Sequence, residues 1–435
     1  MDKLAYSCDN PQHTAELNFS TVTNQPLNPP NPTFFGLGIA PRLLETIGRL
    51  KYTVPTPIQL KAIPVAVEGK DVIGVAQTGT GKTLAFGIPM IQRLAQVGGQ
   101  GLVLLPTREL ALQVDEVMQL LGRSHGLRTV VIIGGAAMGR QIEGLSRHPH
   151  IIVATPGRLN DHLMQRTVNL NGVKILVLDE ADRMLDMGFA PQIIKILKHL
   201  PRQRQTMLFS ATMPAAIVGL ARNYMQLPVQ VEIAPSGTAA AGVSHELFFT
   251  QKEQKTRLLA KLLERYRGTV LVFTRTKHGA RKLERSVTAM GHQASSLHSD
   301  RTLAQRRQAL DGFKSGRYRV LVATDIAARG IDVSNIELVV NYDLPGQPED
   351  YIHRIGRTGR ANRQGRAISF ATPDQYSDVR SIEKLLKKTL PVSHLPELPP
   401  EQRSPAHPSA QLARPTAPAS GQWRRHRRPF HRRRH

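Results

Sequence analysis

Ala76-Gln77-Thr78-Gly79-Thr80-Gly81-Lys82-Thr83 follows the apolar run Asp71-Val72-Ile73-Gly74-Val75 and leads into Leu84-Ala85-Phe86. A strand thus enters a glycine loop that opens a helix, which is the context a nucleotide-phosphate cradle requires. Gly79 and Gly81 can take positive φ and turn backbone N–H groups inward. The N–H groups at the start of the helix add a fixed positive field. Lys82 supplies a point charge for the β- and γ-phosphates, and Thr83 a hydroxyl for Mg²⁺. Ala76 stands where the usual pattern has glycine. Taken alone, the stretch also fits an ordinary glycine turn between strand and helix.

Working outward, the 435 residues are enough for two or three domains with their own cores. No apolar run reaches the length of a membrane span, and Met1-Asp2-Lys3-Leu4-Ala5-Tyr6 lacks the pattern of a secretion signal. Cys8 is the one cysteine, which excludes an internal disulfide and a cysteine-based metal cluster. A cytoplasmic location without membrane contact is the expectation. The formal net charge of +25 favours a polyanionic partner, most simply nucleic acid, and argues against a metabolic kinase.

Upstream of the cradle, residues 1–32 are polar and proline-bearing and predict a disordered lead-in. A helical pattern (Leu43, Leu44, Ile47, Leu50) then ends before Pro55-Thr56-Pro57-Ile58-Gln59. The prolines make a rigid turn that presents Gln59, whose amide can read an adenine edge, with Phe34 to stack on the ring. A glutamine in such a turn is more often structural.

Downstream, short apolar strands alternate with helices, with strands expected at 101–105, 129–133, 151–154, 174–178 and 206–209. This rhythm predicts a parallel sheet covered by helices, with functional loops at the carboxyl ends of the strands. The fourth of these strands ends in Asp179-Glu180-Ala181-Asp182. Asp179 suits Mg²⁺ coordination, directly or through water, and Glu180 can polarise an attacking water. A solvated acidic turn is the alternative. Pro106-Thr107-Arg108-Glu109-Leu110, Gly134-Gly135 and Thr155-Pro156-Gly157-Arg158 also follow strands. Singly each reads as an ordinary turn or cap; together they would form a track for phosphates and sugars.

Residues 234–243 are small and flexible and mark a linker between a first domain (33–233) and a second (244–393). The second has its own βα series, with strands expected near 246–250, 269–273, 294–298, 319–323, 338–341 and 367–370, and no phosphate loop. A second domain without a cradle suggests that it completes the site from across a cleft. Arg357 and Arg360, three apart in Tyr351-Ile352-His353-Arg354-Ile355-Gly356-Arg357-Thr358-Gly359-Arg360, could converge on one phosphate as arginine fingers do. A basic face gripping nucleic acid is the other reading. Residues 394–435 predict a disordered tail. From 401 onward it carries nine arginines, no lysine and one acidic residue, with Trp423 and Phe430 interleaved. Such a tail can grip phosphates and stack on bases without sequence preference, or merely solubilise the chain.

With these stretches laid out, the sequence resembles the DEAD-box ATP-dependent RNA helicases over roughly residues 34–390. The motifs that carry the resemblance include Gln59, the phosphate loop, Asp179–Asp182, Ser210-Ala211-Thr212, Val272–Lys277, Ala323–Asp332 and His353–Arg360. Phe273–Ala280, Ile382–Lys388 and the basic tail are most similar to the bacterial RhlE-type subgroup. The resemblance implies two tandem RecA-like α/β domains with a cleft between them, ATP and Mg²⁺ as cofactors, and RNA held without sequence preference. It implies that the nucleotide is held by Phe34, Gln59, the residues Ala76 to Thr83, and Asp332. RNA would lie on Pro106, Thr107, Arg108, Gly135, Thr155, Pro156, Gly157, Arg158, Thr274, Arg306 and Thr324. Asp182, Ser210, Thr212 and His353 would couple the two sites. Ribosomal precursors or RNA-degradation complexes are the settings it suggests. A DNA-directed translocase and an ATP-gated RNA clamp or annealing chaperone are the alternatives. Two positions depart from the family: Ser299 replaces a glycine, and Leu303 stands where glutamine is common, while Arg306 is kept.

Overall fold

The structure, a computed structural model, describes residues 32–77, 79–233, 242–328, 333, 336–359 and 364–399. The first lobe begins with two helices, α1 (Pro41–Arg49) and α2 (Pro57–Val67), each started by a proline in its first turn, where the missing N–H costs nothing. The apolar strand read before the glycine loop is β1 (Val72–Val75), buried along its whole length. It is followed by α3 (Lys82–Val97), β2 (Gln100–Leu104), α4 (Arg108–Gly122), β3 (Thr129–Ile132), α5 (Met138–Ser146), β4 (Ile151–Ala154) and α6 (Pro156–Met164). The lobe ends with β5 (Val173–Leu178), α7 (Ala181–Asp186), α8 (Ala190–Leu197), β6 (Gln205–Ser210), α9 (Ala215–Tyr224) and β7 (Val229–Glu232).

The seven strands form one parallel sheet in the order β3-β4-β2-β5-β6-β1-β7. Val/Ile/Leu runs with no polar alternation are what a sheet covered on both faces demands, and two apolar clusters, one on each side, supply the cover. Placing β1 beside β6 puts the phosphate loop next to the end of β6, where the Ala76 N–H donates to the Ser210 carbonyl at 2.9 Å. Each expected strand is present, with ends displaced by up to three residues; β7 was not anticipated.

The second lobe comprises β8 (Val243–Phe249), α10 (Lys255–Arg265), β9 (Val270–Phe273), α11 (Lys277–Ala289), β10 (Ala294–Leu297) and α12 (Leu303–Lys314). It continues with β11 (Val320–Ala323), α13 (Asp325–Ala328), β12 (Leu338–Asn341), α14 (Pro348–Ile355), β13 (Gly365–Ala371) and α15 (Tyr376–Leu386). Its six parallel strands lie in the order β10-β11-β9-β12-β13-β8. Val243, expected in the linker, already belongs to β8 and pairs with Gly365. Beyond α15 the chain runs along β8: the Leu247 N–H donates to the Pro391 carbonyl and the Ser393 N–H to the Leu247 carbonyl. The expectations for the N-terminal lead-in and for the basic tail from residue 400 lie outside the described residues.

Candidate nucleotide and nucleic-acid site

Gly79 and Gly81 adopt φ of 83° and 87°, the left-handed conformation that glycine takes without strain. At Gly81 a side chain is excluded for a second reason, because its Cβ would lie 2.4 Å from the Gln59 amide nitrogen. That amide is committed on both ends. Its Nε2 donates to the Gly81 carbonyl at 2.9 Å, and its Oε1 accepts from the Thr56 N–H at 2.9 Å in a capping box at the start of α2. Gln59 therefore clamps the proline turn to the phosphate loop, with one N–H and one lone pair left for a base. Lys82 is buried and donates back to the Ala76 carbonyl at 2.9 Å, and Thr80 donates to the Gln77 carbonyl at 2.7 Å. Thr78 lies outside the described residues.

A cavity of about 420 Å³ opens over this loop, lined by Gly79, Gly81, Lys82 and Thr83, with Gln59 on one side and Asp179 and Glu180 on the other. Phe34 is not part of its wall. The ring is 5% exposed and sits within the apolar cluster of the first lobe. Tyr52 is the aromatic side chain that lines the cavity; it is 41% exposed. Its place just before the proline turn is a signal that sequence reasoning passed over.

Asp179 and Glu180 follow β5, which delivers them to the carboxyl edge of the sheet. Glu180 is held at φ 51°, ψ 50°, a left-handed conformation that costs a residue with a Cβ of order 1 kcal/mol. Both side chains are buried, and their surroundings push them in opposite directions. Burial raises the Asp179 carboxyl to about 6 against the pull of Lys82. Burial works the same way on Glu180, but Arg183, then Lys82 and Arg357, outweigh it and hold the carboxylate at about 2. The difference is contact: Arg183 donates to Glu180 Oε2 at 2.7 Å, whereas among the described residues Asp179 Oδ1 accepts only the Glu180 N–H, at 2.9 Å. Arg183 was not among the expected residues.

Asp182 sits in the first turn of α7 and faces β6. Its Oδ2 accepts the Ala211 N–H at 3.0 Å, the Thr212 N–H at 2.8 Å and the Thr212 hydroxyl at 2.9 Å. The Ser210 hydroxyl accepts the Asp182 N–H at 3.3 Å and donates to the Thr212 carbonyl at 2.7 Å. The acidic stretch and the Ser210–Thr212 loop are thus one hydrogen-bonded unit.

From the second lobe, Arg357 enters the same cavity, with its Nε donating to the His353 carbonyl at 3.2 Å. His353 Nδ1 lies 3.9 Å from an Asp350 oxygen. Arg354, buried one position on, grips both Asp325 oxygens at 2.5 and 2.7 Å and also donates to Asn341 and to the Asp343 carbonyl. That fan fixes α14 against the loop after β11 and so aims Arg357. Lys314, also unanticipated, reaches the cavity wall from α12. Arg360 and Asp332 lie outside the described residues.

The three turns of the first lobe do converge. Arg108 folds over Gly134 and Gly135, so closely that a Cβ on Gly135, whose φ is 77°, would fall 2.2 Å from its guanidinium. Arg158 donates to the Ala136 carbonyl at 3.1 Å. Arg108, Gly135, Gly157 and Arg158 keep exposed surface, whereas Pro106, Thr107, Thr155 and Pro156 are buried. Thr107 accepts the Leu110 N–H at 3.3 Å as the cap of α4. Two second-lobe residues expected on the track have protein partners. Thr274 is buried with its hydroxyl turned to the Thr276 carbonyl at 3.4 Å. Arg306 crosses to the first lobe, its Nε 2.9 Å from Glu109 Oε1, with both side chains largely buried. Thr324, at the end of β11, remains half-buried.

Two parallel-sheet lobes that share a phosphate-loop cavity, one giving the lysine and acids and the other an arginine, define a motor-type ATPase. Residues 56–219 match the family model described as DEAD/DEAH box helicase, and residues 254–362 match the helicase conserved C-terminal domain. The chain belongs to the DEAD-box helicase family. It is 45% identical to the ATP-dependent rRNA helicase RRP3 of Debaryomyces hansenii, over 86% of this chain and 79% of that protein. It is 43% identical to the DEAD-box ATP-dependent RNA helicase CshA of Bacillus subtilis, over 82% and 73%. Among solved structures, Saccharomyces cerevisiae Dbp5 bound to RNA and ADP BeF3 superposes with a TM-score of 0.75 at 34% identity, covering 82% of this chain and 95% of Dbp5. A DEAD box protein from Methanococcus jannaschii gives 0.51 at 36% identity, covering 83% and 99%.

Proposed function

We infer the following working cycle for this chain as an ATP-dependent RNA helicase that hydrolyses ATP to ADP and phosphate. The observation that carries it is the shared cavity: Arg357 of one lobe faces Lys82, Asp179 and Glu180 of the other. Lys82 takes the β- and γ-phosphates, Tyr52 and the free part of the Gln59 amide take the base, and Asp332 the ribose. Thr83 and Asp179 would hold Mg²⁺. A hydroxyl and one carboxylate on the cavity wall suit a cation that takes most of its ligands from phosphates and water, and among the described residues no cluster of three His, Cys, Asp or Glu exists to hold a metal otherwise. When bound, the ion neutralises phosphate charge. Glu180, fully ionised and held by Arg183, orients the attacking water, and Arg357, joined by Arg360, stabilises charge on the transferring group.

Single-stranded RNA lies over Arg108, Gly135, Gly157 and Arg158 of the first lobe and Thr324 of the second, held through phosphates and 2′-hydroxyls with the bases unread. The unit joining Asp182 to Ser210 and Thr212, together with His353, couples that track to the cavity. Nucleotide and RNA therefore promote each other's binding, as linkage requires. Closure bends one strand and separates a short duplex or remodels an RNA–protein complex, and phosphate release reopens the cleft. The basic tail adds a sequence-tolerant grip on RNA. The stretch from Phe273 to Ala280, that from Ile382 to Lys388 and the tail support an RhlE-type member. Ribosome assembly or RNA turnover in the cytoplasm suits such a protein, and among the described residues no helix is long and apolar enough to cross a membrane.

The test is ATP turnover by the full chain with RNA or DNA oligomers of one sequence, beside displacement of a short RNA duplex. RNA stimulation, little response to DNA and ATP-dependent strand release are expected. Glu180→Gln retains ATP and RNA binding but turns over at least ~100-fold more slowly. Equal stimulation by DNA would replace the RNA reading with a DNA translocase, and annealing without displacement would replace it with a chaperone.

A further inference from the structure

We propose that Leu303 is a positioning residue for lobe closure, an apolar latch by which the second lobe seats on the first. This rests on the cycle above and adds a residue to it. Leu303 is the first residue of α12, whose N-terminus is fixed by Thr302: its hydroxyl accepts the Gln305 N–H at 3.3 Å, and Gln305 Oε1 accepts the Thr302 N–H at 3.0 Å. Leu303 is half-buried, and the cluster it packs against is that of the first lobe, on the same fringe as Leu110 and Leu112. One turn further along α12, on the same face, Arg306 pairs with Glu109. The Arg306 contact lands on the segment from Pro106 to Leu110, which begins α4 and carries Arg108 onto the nucleic-acid track.

The chemistry of the two contacts differs. The pair of Arg306 with Glu109 is electrostatic, with Nε and Oε1 2.9 Å apart but without hydrogen-bond geometry. Leu303 contributes removal of apolar surface from water, which has no orientation and is not screened by salt. A glutamine at position 303 would place an amide at the edge of that apolar fringe and would have to be desolvated or turned aside on closure. Leucine here makes the joined state of the lobes more favourable than an amide would. Because RNA and nucleotide bind to the joined state, Leu303 lowers the RNA concentration needed for stimulation without touching either ligand.

The experiment is RNA-stimulated ATP turnover by the full chain carrying Leu303→Gln, with Leu303→Met as the conservative variant and Leu303→Ala as a second truncation. Loss of a half-buried leucine contact raises the half-saturating RNA concentration by about fivefold to tenfold in Leu303→Gln and Leu303→Ala. Leu303→Met stays within about twofold of the parent. Turnover at saturating RNA stays within about twofold for all three, because no reacting group has moved. The ratio of variant to parent is the same at about 50 and about 300 mM salt, as an unscreened contact requires. A thermal midpoint for each variant separates weakened closure from a misfolded second lobe. A half-saturating RNA concentration unchanged in Leu303→Ala and Leu303→Gln would overturn the proposal, as would a loss confined to the saturated rate. A parent chain not stimulated by RNA at all would instead remove the underlying cycle.

Discussion

The guanidinium of Arg183 donates to Glu180 Oε2 at 2.7 Å, and both side chains are buried. The pair fixes the carboxylate in a left-handed turn where few residues rest, and it keeps Glu180 ionised in a place where burial alone would protonate it. Arg183→Met should therefore lower turnover at saturating RNA by about 10- to 100-fold, the worth of an oriented water activator, with less than about a threefold change in half-saturating ATP. The sign of the pH effect follows. In the parent, Glu180 is ionised throughout the neutral range, so it gives the rate no acid limb there. Without Arg183 its carboxyl titrates at higher pH, and a loss of rate on acidification should appear. Steady-state profiles of the two proteins check both points, and coincident profiles with equal turnover would exclude Arg183 from this role.

Asp179, next in the chain, has the opposite linkage. Its carboxyl is raised to about 6 by burial, so the folded state holds its proton more tightly than the unfolded chain does. Stability from this group is present below its unfolded value and is lost as pH rises through 6. At neutral pH the ionised side chain thus costs the nucleotide-free fold up to about 3 kcal/mol. Asp179→Asn should abolish turnover yet raise the unfolding midpoint at about pH 7.5, with the gain shrinking toward about pH 5 as the native aspartate takes up its proton. Unfolding curves at the two pH values decide; a destabilised Asp179→Asn protein at the higher pH would show that the buried charge is better compensated than its single hydrogen bond suggests.

How much of this was legible in the sequence depended on whether a feature is local. β1, the glycine loop and α3 follow from period, composition and turn chemistry within one stretch, and they appear where those rules put them. Strand ends were displaced by up to three residues, as at the start of β8, and β7 was missed because Val229–Glu232 alternates and is half polar, lacking the apolar run that marked its neighbours. The acids after β5 were readable, but Arg183 was not, since a basic residue one turn into a helix looks like ordinary solvated charge until burial is known. The contact of Arg306 was hidden for the same reason: Glu109 is on the other lobe, and no single stretch contains both. Nor does the stretch around Phe34 show that its ring packs into the core.

The aromatic wall of the cavity gives a clean separation of roles. Tyr52 lines the cavity and is exposed, so Tyr52→Ala should raise half-saturating ATP by about 5- to 20-fold, the loss of one base stack, with little change in unfolding midpoint. Phe34 is packed in the core, so Phe34→Ala should cost about 3–5 kcal/mol of stability before any effect on ATP affinity. Nucleotide titrations beside denaturant unfolding test the pair. A Phe34→Ala protein of normal stability and weakened ATP binding would return that ring to the site.

The contact between Glu109 and Arg306 can be told apart from a contact between Arg306 and RNA by a double-mutant cycle read through RNA affinity with a non-hydrolysable ATP analogue. Were Arg306 to hold a phosphate, Arg306→Gln would reduce the salt dependence of RNA binding by about one counterion, Glu109→Gln would not, and the two changes would add. As a pair bridging the lobes, with Nε and Oε1 2.9 Å apart and largely dry, the two groups lose each other's compensation whichever is removed. Each single variant should then weaken RNA binding by a similar factor, on the order of tenfold or more, and leave the salt slope unchanged. The double variant should be no worse than either single one, because the second substitution removes a charge that the first had left buried and unpaired. That pattern, non-additive and indifferent to counterions, is what a seam between lobes produces and what a phosphate contact cannot.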